Sequence, residues 1–369
     1  MSIAAGNNLQ IAAPRRVGKT SILFYLMDKG IDGNIYVYVD TERVDNEQDF
    51  YKKLLKEILK TDSIAQSRRL KTLLEGGARL FRKIKSVKVA GQGIDFHEGE
   101  EMDYYEELTN FLSGLELEGS QKLVLLIDEF PQTILNIIAA HKVETRQAIQ
   151  LLQSNRELRL NPDIAEKVQF IYTGSIGLNH TVAAIQASAF VNDLNSIEVE
   201  PLSEEEATDL ANHLLKTKDI QMDAATVEHL LQKISWLIPF HIQLAVHEIS
   251  GLCYASKIAT TELVDKAFDN MVATCNNNHF EHYYSRLKSQ FKNEAFHYAA
   301  AVLDQIALTD TITTAEIYNK AVHFGVQEQY RQIIEVLAYD GYINNNSNHH
   351  NYQFNSPIVR LWWQKFICK

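Results

Sequence analysis

Ala13-Pro14-Arg15-Arg16-Val17-Gly18-Lys19-Thr20 stands between an apolar run, Leu9-Gln10-Ile11-Ala12, and an apolar helical stretch opened by Ser21. Strand, tight loop and helix start in that order make a phosphate-binding loop, because backbone N–H groups and the helix dipole converge on an anion there. Lys19 is the cation for the β- and γ-phosphates of ATP, and Thr20 the hydroxyl for Mg²⁺. Gly18 lets the backbone approach without a Cβ in the way. Ala13 through Ser21 is therefore the candidate nucleotide-binding segment. Its one departure is Ala13, where G-x-x-x-x-G-K-[ST] has glycine. Alanine carries the smallest Cβ, so this is read as a tolerated variant. The competing reading is a Lys-Thr helix start beside a fortuitous glycine.

A second stretch completes the site. Lys122-Leu-Val-Leu-Leu-Ile-Asp128-Glu129-Phe-Pro131 is a continuous apolar run ending in two acids. Such a run fits a strand buried on both faces of a parallel sheet. Open α/β sheets bind ligands at the C-terminal ends of their strands, where these acids fall. Asp128 is the candidate metal holder, with Thr20, and Glu129 the candidate general base. A strand ending in two solvated acids is common by itself; the loop upstream gives this one its meaning.

Composition bounds the rest. At 369 residues the chain exceeds the size at which single cores stop growing, so two or three domains are expected. No stretch approaches eighteen consecutive apolar residues, and the N-terminus lacks a basic segment followed by an apolar one. Neither a spanning helix nor a signal peptide is read, and a cytoplasmic protein with no membrane partner is expected. Cys253, Cys275 and Cys368 are widely spaced, which argues for a reducing compartment and against a structural metal. A net charge of −11 argues against coating nucleic acid through the overall field.

Further strands are expected at Asn34–Asp40 and Val168–Ser175, with a half-exposed final strand over Ile197–Ser203. Apolar residues at helical spacing from Phe50 to Leu59 fit a helix packed on the sheet. Residues 61 to 85 interleave Arg and Lys with leucines, as a solvated helical face or a nucleic-acid patch. Val87 to Phe96 reads as a hairpin, part of an insertion over about 61–100. Thr173 and Ser175 are either γ-phosphate sensors or a turn closing a strand. Arg156 and Arg159 end a helix read from Glu144 to Leu160, where they are either fingers toward a neighbouring nucleotide or salt-bridged surface groups. Ser203 followed by Glu204, Glu205 and Glu206 is a helix N-cap signal, and every pattern from there to about 285 is helical.

Pro14-Arg-Arg-Val-Gly-Lys-Thr-Ser21, Leu126-Ile-Asp-Glu-Phe130, Thr173-Gly-Ser175 and Pro201-Leu-Ser-Glu-Glu205 follow one another in that order. Together they resemble the archaeal-type ATPase family, in the AAA+/STAND branch of P-loop NTPases, over essentially the whole chain. The resemblance implies an α/β architecture: a three-layer αβα P-loop core with a parallel sheet, then a helical lid, then a winged helix. The corresponding spans are 1–202, 203–285 and 286–369. Two features depart from the family pattern. A Gly-Arg-Glu-type segment usually precedes the loop strand, but only about a dozen residues do so here. Weaker nucleotide binding than in an upstream-extended version is expected from this. The family's Gly-x-Pro lid motif is matched by Trp236-Leu-Ile-Pro239-Phe-His241, with proline but no glycine. Pro239 and His241 either approach the nucleotide or are a helix-starting proline with an incidental histidine.

The final segment reads as a winged helix from its own residues. Ala295 to Ala307 and Gln329 to Tyr339 are apolar helices, and Thr313-Thr-Ala-Glu316 opens another with a capping signal. Tyr342-Ile343 and Tyr352-Gln-Phe354 flank a polar tip as a wing. Residues 286–369 hold eight basic and seven acidic side chains, and Arg331 is the only strong base-reading cation on the third helix. An intramolecular or protein-contacting module is favoured over a DNA-binding one, and a protein partner or self-association is possible for the chain as a whole. The function expected is an ATP-binding, Mg²⁺-dependent ATPase acting as a nucleotide-controlled switch, with Glu129, Lys19 and Ser175 in catalytic roles. The alternatives are an ATP-licensed DNA-binding regulator and a non-hydrolysing nucleotide-bound scaffold.

Overall fold

The computed structural model describes residues 6–30, 33–61, 64, 84–88, 92–96, 102–141, 144–346 and 348–368. The basic stretch expected to be helical over 61–85 falls mostly outside them. The chain divides into two compact units, Met1–Ala13 with Lys19–Val199, and Pro14–Gly18 with Glu200–Lys369.

The first unit is built on a five-stranded sheet of β1 (Leu9–Ala12), β2 (Ile35–Asp40), β5 (Leu123–Asp128), β6 (Val168–Thr173) and β7 (Asn195–Glu198). Their order is β2-β5-β6-β1-β7, and every pairing is parallel. All six residues of β5 and of β6 are buried, which is why neither shows hydrophobic alternation. Strand β7 is shorter than the final strand expected and stops at Glu198. A separate antiparallel pair, β3 (Ile84–Lys88) and β4 (Gln92–Phe96), matches the hairpin expected there.

Helices cover the sheet because each carries an apolar stripe. α1 (Lys19–Lys29) buries Leu23 and Leu26 against Leu9, Ile11, Val124, Leu126 and Ile171. α2 (Glu47–Lys60) starts at Asn46, whose side chain accepts from the Asp49 N–H at 2.8 Å. It buries Phe50, Leu54, Leu55 and Ile58 in the larger core of the unit, which also takes α3 (Tyr104–Ser113) and α4 (Phe130–Ala140).

α5 (Arg146–Leu160) overturns one reading. Arg159 is 2% exposed, a salt-bridged group of the interior and not of the surface. Its Nε and Nη2 donate to the two carboxylate oxygens of Asp193 at 2.7 and 2.8 Å, and Nη1 donates to the Tyr172 hydroxyl at 3.3 Å. Burial opposes the charge, but Tyr172 and Asp193 more than offset it and hold the guanidinium protonated. From Tyr172 the network runs inward through Asn155 and Tyr51 to Ser154 and Glu47. Arg156 lies at the edge of this cluster, 4.0 Å from Asp193.

The second unit is helical apart from one small sheet. α8 (Glu204–Thr217) opens on the expected cap: Ser203 accepts from the Glu206 N–H while the Glu206 carboxylate accepts from the Ser203 N–H. (α6 is Pro162–Ala165 and α7 Leu178–Ala184, both in the first unit.) α9 (Ala224–Ile234), α10 (Pro239–Leu252), α11 (Thr261–Met271) and α12 (Glu281–Gln290) follow. Then come α13 (Asn293–Thr309), β8 (Ile312–Thr313), α14 (Thr314–His323), α15 (Tyr330–Tyr339), β9 (Ile343–Asn344), β10 (Asn351–Phe354) and α16 (Pro357–Phe366). The three strands pair antiparallel in the order β8-β10-β9, giving the succession of helices and strands that the winged-helix reading expects. Trp362 and Trp363 of α16 are buried in the core of this unit, their indole N–H groups donating to Asn277 and Asp304.

His241 also lies in that core, fully buried and edge-on to Trp236 at 5.7 Å. Pro239 is the first residue of its helix, which suits a ring lacking an N–H. Burial pushes the imidazole down to about 3, against a backbone contact from Trp236 and with the charge of Arg16 acting in the same direction. His282 is likewise pushed down to about 3, by burial and then by Arg16 and Arg15.

Two outcomes follow from these buried groups. Asp193→Ala strands a buried guanidinium and is expected to cost about 3–5 kcal/mol, read as a lower urea midpoint; a loss under about 1 kcal/mol would show that Arg159 finds other partners. His241 is neutral in the folded chain, whereas the unfolded imidazole titrates near 6.5. Its contribution is therefore full above about pH 6.5 and lost as pH falls toward 3. Between pH 7 and pH 5 His241→Leu is expected to remove about 2 kcal/mol of the acid-induced loss of stability. Tryptophan fluorescence reads this, since Trp236, Trp362 and Trp363 all belong to the second unit. A variant with the same pH slope as the unmutated chain would contradict it.

Candidate nucleotide site

Parallel strands all present their C-terminal ends on one edge of the sheet, and the order of the strands decides what meets there. β6 lies between the loop strand β1 and the acid strand β5. The end of β6 and the turn after it, Thr173-Gly174-Ser175, are thereby placed beside Asp128 and Glu129.

Asp128 is buried, at 3% exposure, and its carboxylate accepts four hydrogen bonds. Thr20 Oγ1 and the Tyr38 hydroxyl donate to Oδ2 at 2.9 and 3.2 Å, from 108 and 90 residues away. Thr173 Oγ1 and the Glu129 N–H donate to Oδ1, the latter at 3.0 Å. Thr41 Oγ1 donates to the Asp128 carbonyl at 2.8 Å, fixing the loop after β2 to the same point.

Glu129 adopts the left-handed conformation, φ 57° and ψ 30°, which costs a non-glycine residue roughly 1–2 kcal/mol. Its Oε2 accepts from both the N–H and the hydroxyl of Ser175, at 3.0 and 2.9 Å. Gly174 makes that possible. A Cβ there would lie 2.5 Å from Cδ of Pro131, so only glycine lets the β6 turn close over the start of α4. Thr173 and Ser175, read from sequence as phosphate sensors or turn residues, each hold one of the two acids.

Lys19 is buried at the start of α1, and its Nζ donates to the Ala13 carbonyl at 2.7 Å, across the loop. Gly18 has φ 100° and Arg16 φ 68°. Only glycine takes the first without strain, which accounts for Gly18 in the motif. Pro14–Gly18 are counted with the second unit, where the Arg16 guanidinium stacks 3.8 Å above the Phe240 ring.

The oxygens of Thr20 and Asp128 suit a hard divalent cation. Among the described residues no group of three or more His, Cys, Asp or Glu forms a metal cage, so these two oxygens would rely on phosphate and water for the remaining ligands. Tyr38 is the contributor that sequence reasoning missed. Its position in the alternation of Ile35–Asp40 gives its side, but the partner comes from β5, where Tyr38 lies opposite Leu126.

No family model matches this chain, and no curated protein matches it. Solved structures do. The chain is similar to the Walker-type ATPase PABY2304 of Pyrococcus abyssi, at 14% identity with a TM-score of 0.59, covering 96% of this chain and 90% of that one. It is also similar to the ORC2 protein of Aeropyrum pernix, at 11% identity and a TM-score of 0.55, covering 96% and 86%. The chain thus shares their fold, with a parallel sheet and covering helices matching a P-loop αβα core. No helix among the described residues is long and apolar enough to cross a membrane.

Gly174→Ala is expected to force Pro131 and the β6 turn apart at a cost of about 1–3 kcal/mol, measured as a lower melting temperature. Unchanged melting would show that Pro131 gives way without strain.

Proposed function

We propose that this chain is a Mg²⁺-dependent ATPase that works as a nucleotide-controlled switch. The observation that carries the reading is the meeting of the loop residue Thr20 with the strand residue Asp128, with Glu129 beside them. Ala13 to Ser21 bind the phosphates through backbone N–H groups. Lys19 neutralises the β- and γ-phosphates, and Thr20 and Asp128 hold the metal, which would draw charge off the transferring phosphoryl group. Glu129 takes the proton of the attacking water, and Ser175 keeps that carboxylate in place. The similar ORC2 protein of Aeropyrum pernix is described as ADPNP and ADP complexes, which supports nucleotide as the ligand.

Two substitutions are expected to fail differently. Lys19→Ala abolishes both binding and turnover. Glu129→Gln keeps the shape of the site, so ATP still binds while hydrolysis falls by roughly 10²–10⁴-fold, the usual worth of a general base. Equilibrium binding of a fluorescent ATP analogue beside single-turnover hydrolysis separates them. Unchanged hydrolysis in Glu129→Gln removes Glu129 from the role, and tight binding without any hydrolysis in the unmutated chain leaves a nucleotide-bound scaffold.

A further inference from the structure

The four donors on Asp128 are not alike. A carboxylate offers about four lone-pair positions, so they fill it, and Asp128 would hold the metal through a bound water while Thr20 meets it directly. Thr20 belongs to the phosphate loop, Thr173 to the turn after β6, and the Glu129 N–H is fixed by the backbone of Asp128's own neighbour. Tyr38 belongs to no motif. It reaches Oδ2 at 3.2 Å from the adjacent strand, and that reach depends on the β2–β5 register. Its ring is braced by Phe24 of α1, with centroids 5.0 Å apart.

The geometry points to Tyr38 as the positioning residue of the metal site: its hydroxyl fixes the Asp128 carboxylate against Thr20, so that the two oxygens are preset as a pair. This rests on the reading that Thr20 and Asp128 hold Mg²⁺ with ATP. Groups that orient a metal ligand in this way typically account for 10- to 100-fold in metal affinity. Phenylalanine at position 38 keeps the ring against Phe24 and removes only the donor.

The test titrates a fluorescent ATP analogue into the full chain over a range of Mg²⁺ and in EDTA. In Tyr38→Phe the Mg²⁺ concentration that gives half of the metal-dependent gain in affinity is expected to rise about 10- to 100-fold. Affinity in EDTA and the melting temperature are expected to stay as they were, which a merely structural role would not predict. An unchanged Mg²⁺ midpoint in the folded variant overturns the assignment. If Tyr38→Phe melts lower, Phe24→Leu decides instead: it loosens the brace, leaves the hydroxyl, and is expected to shift the same midpoint by a smaller factor, an unmoved midpoint again overturning it. Nucleotide binding that ignores Mg²⁺ in the unmutated chain overturns the underlying metal reading as well, and that trace alone distinguishes the two failures.

Discussion

The first unit is organised around one buried carboxylate. Asp128 at 3% exposure has exchanged water for protein donors, and desolvating a charge is tolerable only when its lone pairs are filled. Those donors come from α1, β2, the end of β6 and the following backbone. Satisfying them all at once requires β5 to lie between β2 and β6, and α1 to start at the same edge of the sheet. The parallel order of the strands is thus the condition for a stable Asp128 as well as for a site.

Two strained positions belong to the candidate nucleotide site. Glu129 and Arg16 have positive φ without being glycine. Each is held by a specific partner, Ser175 in one case and Phe240 in the other. The close contact between Gly174 and Pro131 is what puts Ser175 within reach of Glu129. A conformation unfavourable by itself is here over-determined by packing, as expected where a side chain must be aimed.

Much of this was legible in the sequence because the signals were local. The loop motif, the fully apolar β5 and the caps at Ser203 and Thr313 all depend on residues within a few positions of one another. Thr173 and Ser175 were visible as candidates but not as partners of Asp128 and Glu129, because that pairing follows from β6 lying next to β5. Tyr38 was invisible for the same reason. Arg159 looked like any arginine at the end of a surface helix until Asp193, 34 residues later, was seen to lie against it. The basic stretch 61–85 lies mostly outside the described residues.

The sheet order also sets a schedule. β1 precedes the other strands of its sheet, yet Leu9 pairs with Ile171 on one side and with Asn195 on the other. β2 and β5 can pair as soon as residues up to Asp128 exist, but β1 has no neighbour until β6 has been made, and no second one until β7. At synthesis rates of about 5–20 residues per second, the loop strand waits on the order of ten seconds or more for a sheet to join. Nascent chain shorter than about β6 therefore carries the phosphate-loop sequence without a phosphate loop. An early-made loop thus waits on late-made strands to become a site.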